Sequence, residues 1–355
     1  MDLATPKYIL VENYIKEAIR KKTIVEKLPG ERTLAKELGF SYMTIRKAID
    51  NLVTEGILYK VPTKGTFVAD RNNSRKKTMT IGYFLDNSIE AGVSSPYYSL
   101  IFNALEKVAA KNGYALSYFT DLDLASSNNI LSRLDGVIAS CFPRIENTLQ
   151  SLKQVLPVVA IDNGSADKTI PSVIIDNFNA VVDSFDHLYA LGHRRIGFMT
   201  GLEDSDVGKD RCAGYRNGLN KHGLDMDETL VYRGNYSFKS GLKGADYFLS
   251  LDKLPSAILC ANDSMALGAI RELDNHGIKV PQDISIIGFD DIDVASQVIP
   301  ALTTIAAPIE DISNHAFDLL LSMIQGETLE NKHIALPAKV VVRQSCAYVN
   351  KKFAA

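Results

Sequence analysis

Several things are scarce in this 355-residue chain, and each scarcity removes a class of function. Cysteine is one: Cys141, Cys212, Cys260 and Cys346 lie far from one another. No zinc-finger or Cys-x-x-Cys redox spacing can be built from them, so they read as buried thiols in a reducing cytoplasm. The six histidines show no metal-ligand spacing, and no G-x-S-x-G, Walker A or H-E-x-x-H motif occurs. An enzyme is therefore not expected, nor are catalytic residues, a cofactor or a metal. His193, in Leu-Gly-His-Arg-Arg, reads as support for a turn. No apolar run approaches the roughly 20 residues of a membrane helix. The first residues lack a basic stretch leading into an apolar core, so no secretory signal is expected and the location should be cytoplasmic. Ordinary hydrophobic and charged contents, 46% and 23%, describe a soluble protein large enough for two or three domains.

The near-neutral total hides a strong asymmetry. Residues 1–77 hold 16 Lys and Arg against 9 Asp and Glu, a net of +7. The rest holds 23 against 33, a net of −10. A basic head on an acidic body suggests that the head meets polyanions.

Within the head, Leu28 to Val68 reads LPGERTLAKELGFSYMTIRKAIDNLVTEGILYKVPTKGTFV. Leu34, Ala35 and Leu38 recur at helical intervals, and Gly39 is a natural stop because it accepts positive φ. Ser41 is placed to cap a second helix. There, Ile45, Ala48, Ile49, Leu52 and Val53 form an apolar stripe, and the opposite face shows Tyr42, Met43, Thr44, Arg46 and Lys47. Gly56 should end that helix. Strand residues Ile57–Tyr59 then turn through 62–66 into Phe67–Val68. This pattern predicts a winged helix-turn-helix, with its second helix for the major groove and Lys64 at the wing tip for phosphates.

At these residues the chain resembles the GntR family of transcription factors. The runs LPGERTLAKELG, SYMTIRKAI and GTFV carry the resemblance, over roughly residues 5–70. It implies that Arg32, Ser41, Thr44 and Arg46, with Lys64 and Gly65 in the wing, approach DNA. The family often has Arg after the capping Ser. Here that position is Tyr42, so guanine readout by Arg is not available there.

Residues 70–77, polar and basic without periodicity, read as a hinge. From Met79 onward, strands and helices alternate. Strands are expected at Met79–Leu85, Ala115–Phe119, Gly136–Ala139, Val158–Ile161, Val173–Ile175, Ile196–Thr200, Ala257–Cys260 and Ile284–Phe289. Helices are expected at Leu100–Asn112, Ala180–Leu191, Arg211–His222, Phe238–Ser250 and Met265–His276. Near-continuous apolar strands between helices indicate parallel sheets covered on both faces. So many strands suggest two α/β halves, dividing between 176 and 192, with a ligand cleft at the strands' carboxyl ends. Polar residues sit at those ends: Asp290 and Asp291, Asn262 and Asp263, Arg211, and Tyr97 and Tyr98 before a helix. With Tyr236 they would suit a sugar or small polyol. Each also has a plainer reading: Asn262 or, more simply, Asp263 as a helix cap, Asp290-Asp291 as a loop, Arg211 as a surface ion pair, the tyrosines as core.

Across residues 78–348 the runs LGHRRIGFMTG, RCAGYRNGL, CANDSMALGAI, ISIIGFDDID, ALTTI and LPAKVVVRQSC resemble the effector domain of LacI/GalR-family repressors, itself similar to periplasmic sugar-binding proteins. The resemblance implies effector contacts by Arg211, Asn262, Asp290 and Tyr236, with Tyr98 and Asn179 as looser matches. It also implies chain crossings, giving lobe one about 78–191 and 309–335 and lobe two about 192–308 and 336–355, and a homodimer. LacI members carry a different head and a hinge helix. The expectation is thus a DNA-binding repressor of carbohydrate genes, released from its operator by a monosaccharide such as arabinose. A purine or other metabolite, or a ligand acting as corepressor, stays open.

Overall fold

Periodicity in the head becomes a small three-helix core with a hairpin. The protein, seen in a computed structural model, is described for residues 6–349 apart from 22, 55–56, 62–64, 69–76, 88, 90, 127–129 and 141–144. It divides into two compact units, Met1–Lys77 and Thr78–Ala355. In the first, α1 (Lys7–Arg20), α2 (Glu31–Leu38) and α3 (Tyr42–Thr54) are followed by an antiparallel pair, β1 (Leu58–Val61) and β2 (Gly65–Val68). Val11, Ile15, Leu34, Ile45, Ala48, Ile49, Leu52 and Leu58 meet in its core. Gly39 ends α2 at φ 69°, as its position predicts. The sequence reading missed α1, whose Val11 and Ile15 close this core. Gly56 and Lys64 lie outside the described residues, as does nearly all of the expected hinge.

The second unit has two six-stranded sheets. One is built from β3 (Thr80–Leu85), β4 (Ala115–Phe119), β5 (Gly136–Ser140), β6 (Val158–Asp162), β7 (Ser172–Ile175) and β13 (His333–Leu336), all parallel, in the order β13-β7-β6-β5-β3-β4. The other is built from β8 (Ile196–Met199), β9 (Val231–Tyr232), β10 (Ala257–Cys260), β11 (Ser285–Asp290), β12 (Thr303–Ala306) and β14 (Lys339–Val341), in the order β14-β12-β11-β10-β8-β9. Only β14 runs antiparallel to its neighbour. Every residue of β5, β6 and β11 is buried. That explains the continuous apolar runs: a sheet covered on both faces has no wet side to mark with polar residues.

Helices α4 (Pro96–Lys111), α5 (Asp121–Ser126), α6 (Glu146–Lys153) and α11 (Ile309–Gln325) pack with the first sheet, whereas α9 (Phe238–Leu249) and α10 (Asp263–Asn275) pack with the second. Helix α7 (Asn177–Ala190) packs on α8 (Asp206–Lys221) and touches β10 and β14. The division drawn at 191 therefore falls earlier, at the N-terminal end of α7. The chain crosses between lobes three times: before α7, between β12 and α11, and between β13 and β14.

Among the described cysteines Cys260 is buried and Cys212 and Cys346 are half-buried, none in a disulfide. Cys141 lies outside the described residues. His193 is buried, its Nδ1 2.9 Å from Ser256 Oγ and its Nε2 3.1 Å from the Ala347 carbonyl. It ties the turn before β8 to the C-terminal segment. No helix among the described residues is long and apolar enough to cross a membrane.

Candidate functional site

In the head, α3 buries Ile45, Ala48, Ile49 and Leu52 completely. Helical geometry then turns Tyr42, Met43, Arg46 and Lys47 outward, and all four are exposed. Ser41 does cap the helix: its Oγ accepts from Thr44 N at 3.2 Å and lies 2.8 Å from Thr44 Oγ1. Lys47 Nζ stands 4.2 Å from the centre of the Tyr8 ring. Arg32 is exposed on the first turn of α2, and Gly65 is exposed at the start of β2. Lys60 Nζ bridges Asp50 at 2.7 Å and Glu31 at 3.3 Å, tying the hairpin to both helices.

In the second unit, a cavity of about 410 Å³ opens between the lobes at the carboxyl ends of the strands. This is where open parallel sheets place ligands. Tyr97, Tyr98, Asp162 and Asn163 line it from the first lobe, and Asn177, Ser205, Arg211, Asn235, Tyr236, Asn262 and Asp290 from the second. Of the seven residues expected to touch ligand, six are there. Asn179 is not. It is exposed, and its Nδ2 donates to Asp176 Oδ2 at 2.7 Å, because α7 starts at Asn177 and turns position 179 away from the cleft. Asn177, two residues earlier, lines the cavity instead.

Three of the lining residues hold positive φ although they are not glycine: Asp162 at 69°, Tyr236 at 67° and Asp290 at 116°. Such backbone is strained and persists where surroundings over-determine it, which happens most at ligand sites. Tyr236 shows how. The ring lies so close to Gly201 that a Cβ there would stand 1.9 Å from it, and Asn262 Nδ2 donates to the Tyr236 carbonyl at 2.9 Å.

Arg211 sits in the second turn of α8, one turn deeper than the expected helix start, and is 5% exposed. Its guanidinium carbon lies 3.5 Å from the centre of the Phe289 ring. Nε donates to Asn177 Oδ1 at 2.9 Å and Nη1 donates to the Ala261 carbonyl. The fork is therefore fixed before any ligand arrives, a pre-organisation that a surface ion pair would lack.

Asn262, not Asp263, caps α10, accepting from Met265 N at 2.9 Å. With its other end holding Tyr236, it positions the cavity wall. Asp263 is fully buried, accepting from Ile292 N at 2.9 Å and from the Thr304 hydroxyl. Burial pushes its carboxyl up to about 7 despite these donors. Asp291 faces away and pairs with Arg343 at 2.7 Å.

Sequence reasoning missed Asp162, which ends β6 as Asp290 ends β11. The same signal, an apolar strand stopping on an acid, marks both. Asp162 Oδ1 accepts from the Tyr97 hydroxyl at 2.7 Å, while its Oδ2 and the Tyr236 hydroxyl are buried without a well-aligned hydrogen bond, although Ser140 and Ser205 stand near enough to favour their ionised forms. Buried polar atoms whose hydrogen bonds are poorly aligned and that border a cavity have capacity left for a bound group. Burial raises the Asp162 carboxyl. It raises Asp290 far more, with Arg211 opposing and Asp263 and Asp162 reinforcing.

These directions set a pH dependence. A carboxyl raised by folding stabilises the protein fully below its unfolded value, about 3.9, and that contribution is lost as pH rises through the folded value. A ligand hydroxyl donating to the carboxylate favours the ionised form. Binding should then release protons, and affinity should rise with pH up to the raised Asp290 value. Calorimetry over a pH series in buffers of different ionisation heat should show this release. Proton uptake on binding would contradict it.

With that geometry in place, residues 185–346 match the family described as periplasmic binding protein-like domain, and residues 7–68 match bacterial regulatory proteins of the gntR family. The chain is 32% identical over 286 residues to the HTH-type transcriptional repressor CytR of Escherichia coli K12, covering 78% of this chain and 81% of that protein. It is 31% identical over 283 residues to catabolite control protein A of Priestia megaterium, covering 78% and 84%. A LacI family transcriptional regulator from Enterococcus faecium, solved with bound ribose, matches 76% of this chain and 100% of its own at 25% identity and a TM-score of 0.67. The parallel-stranded body thus belongs with proteins that regulate transcription, and the chain is a member of the LacI family of bacterial DNA-binding regulators, fitted with a gntR-family head.

Proposed function

We propose that the cleft binds a neutral monosaccharide and that binding releases this regulator from the operators of carbohydrate-utilisation genes. One observation carries the ligand class: two buried carboxyls, Asp162 and Asp290, line the cavity with a single guanidinium, Arg211. Hydroxyls can donate to both carboxyls and accept from the fork. An anionic ligand would find a single guanidinium, two of whose nitrogens already donate to Asn177 and to the Ala261 carbonyl. Tyr97, Tyr98 and Tyr236 add flat apolar surface for a sugar ring. The ribose in the Enterococcus faecium relative supports the same class.

Operator contact falls to Arg32, Ser41, Tyr42, Met43, Thr44, Arg46 and Lys47, with Lys64 and Gly65 in the wing. Because one head reads few base pairs, the working unit is a homodimer on a two-fold symmetric site. Closing the lobes around a sugar moves them relative to each other, and residues 70–77 pass that movement to the heads.

The test begins with thermal shifts in ribose, arabinose, other pentoses and hexoses, their phosphates, and adenosine. A native-state ligand at 100 times its Kd adds about 2.7 kcal/mol. Neutral sugars should stabilise and sugar phosphates should not. Operator is then titrated at several concentrations of the active sugar. Its affinity should fall by a factor equal to that by which operator weakens sugar binding, about 1–3 kcal/mol of coupling. Stabilisation by adenosine alone would move the ligand class to purines. Tighter operator binding with sugar would make it a corepressor, and unchanged affinity would remove the allosteric claim.

A further inference from the structure

We propose that the head recognises thymine methyl groups in the major groove through Tyr42 and Met43. This rests on the head being the DNA-reading part of the chain.

The outward stripe of α3 consists of positions 42, 43, 46, 47 and 50, since Ile45, Ala48 and Ile49 are fully buried. Its C-terminal half is already engaged within the head. Asp50 Oδ1 lies 2.7 Å from Lys60 Nζ, and Lys47 Nζ stands over the Tyr8 ring. Ser41 and Thr44 spend their hydroxyls on each other and on the cap. The first turn therefore presents Met43, 68% exposed, and Tyr42, 42% exposed, with Arg46 one turn on.

Positions 41–45 contain no Arg, Lys, Asn or Gln, the side chains that read guanine or adenine edges in pairs of hydrogen bonds. What they offer is a flexible thioether and the side of a phenol ring, set on a unit of net charge +7. Of the groups that base pairs display in the major groove, the thymine C5-methyl is the apolar one. A polyanion drawn by the charge and an apolar tip pressed into its groove are satisfied together by thymine at the first-turn positions. A·T pairs should therefore lie beside the base read by Arg46.

The full-length protein is used to select binding sites from randomised duplexes. Thymine should be enriched at one or two positions per half-site. Replacing each such thymine by deoxyuridine deletes only its methyl and should weaken binding about fourfold per contacted methyl, the worth of one buried methylene-sized group. Met43→Ala, at an exposed position, should weaken thymine duplexes and make the protein indifferent to deoxyuridine at one of them. Tyr42→Arg should shift the selected base toward guanine. Selection of G·C at the first-turn positions, or equal affinity for thymine and deoxyuridine duplexes, overturns the proposal. Enrichment of no sequence at all overturns instead the assignment of the head as a sequence reader, and this inference falls with it.

Discussion

Arg211→Ala is expected to abolish effector binding and to lower the unfolding free energy by about 3–5 kcal/mol, the range for removing one member of a buried charged set. Three losses combine. The Asn177 amide and the Ala261 carbonyl lose their donor, the Phe289 ring loses its cation, and Asp290 loses the charge that opposes its burial. Arg211→Lys separates the last from the others. A lysine restores positive charge but not the planar fork, so stability should partly return while ligand binding does not. Urea unfolding gives the stability difference, and calorimetry with the sugar found by thermal shift gives the affinity. The head has its own core, so operator binding should survive in both variants. Normal sugar affinity in Arg211→Ala would remove Arg211 from the site.

The division of labour around that residue shows how far sequence reaches. Strands buried on both faces were readable because they are apolar throughout, and the acid ending β11 stood out for the same reason. Asp162 carries the same signal, one residue beyond the apolar run Val158–Ile161, but as a lone acid, whereas Asp290 stands in an acid pair and in a run with a family resemblance. The short strands β9, β13 and β14 were not readable at all. Two to four residues at a sheet edge carry too little pattern, and β13 and β14 take their place through partners far away in sequence. Asn179 failed for a geometric reason. Which of two nearby asparagines enters the cleft depends on where α7 begins, and Asp176, capping it through Asn179 N, sets that phase in three dimensions. Asn262 could be singled out from sequence, but its work could not. Only the fold shows that it caps α10 and holds the Tyr236 backbone at once.

Arg46→Ala should cost the regulator its specific operator binding while leaving the body untouched. Arg46 is exposed on α3, and its neighbours Ile45, Ala48 and Ile49 form the core without it, so the head should fold normally. A bidentate contact to a base is worth about 1–3 kcal/mol. A dimer loses two of them, about 2–6 kcal/mol, or at least roughly 30-fold in affinity. The competing role for an exposed arginine on a basic head is phosphate contact, and the two are separable. If Arg46 touches phosphate, alanine weakens binding equally on operator and random DNA and flattens the salt dependence by about one ion per head. If it reads a base, operator affinity falls toward the random-DNA value while the salt slope on random DNA is kept. Measurements at fixed salt on both duplexes, repeated over a salt series, decide between them. Sugar affinity of the variant without DNA should equal that of the parent protein, because the cavity is built wholly from residues beyond Lys77. Unchanged operator affinity would mean that the outward face of α3 is not the reading surface.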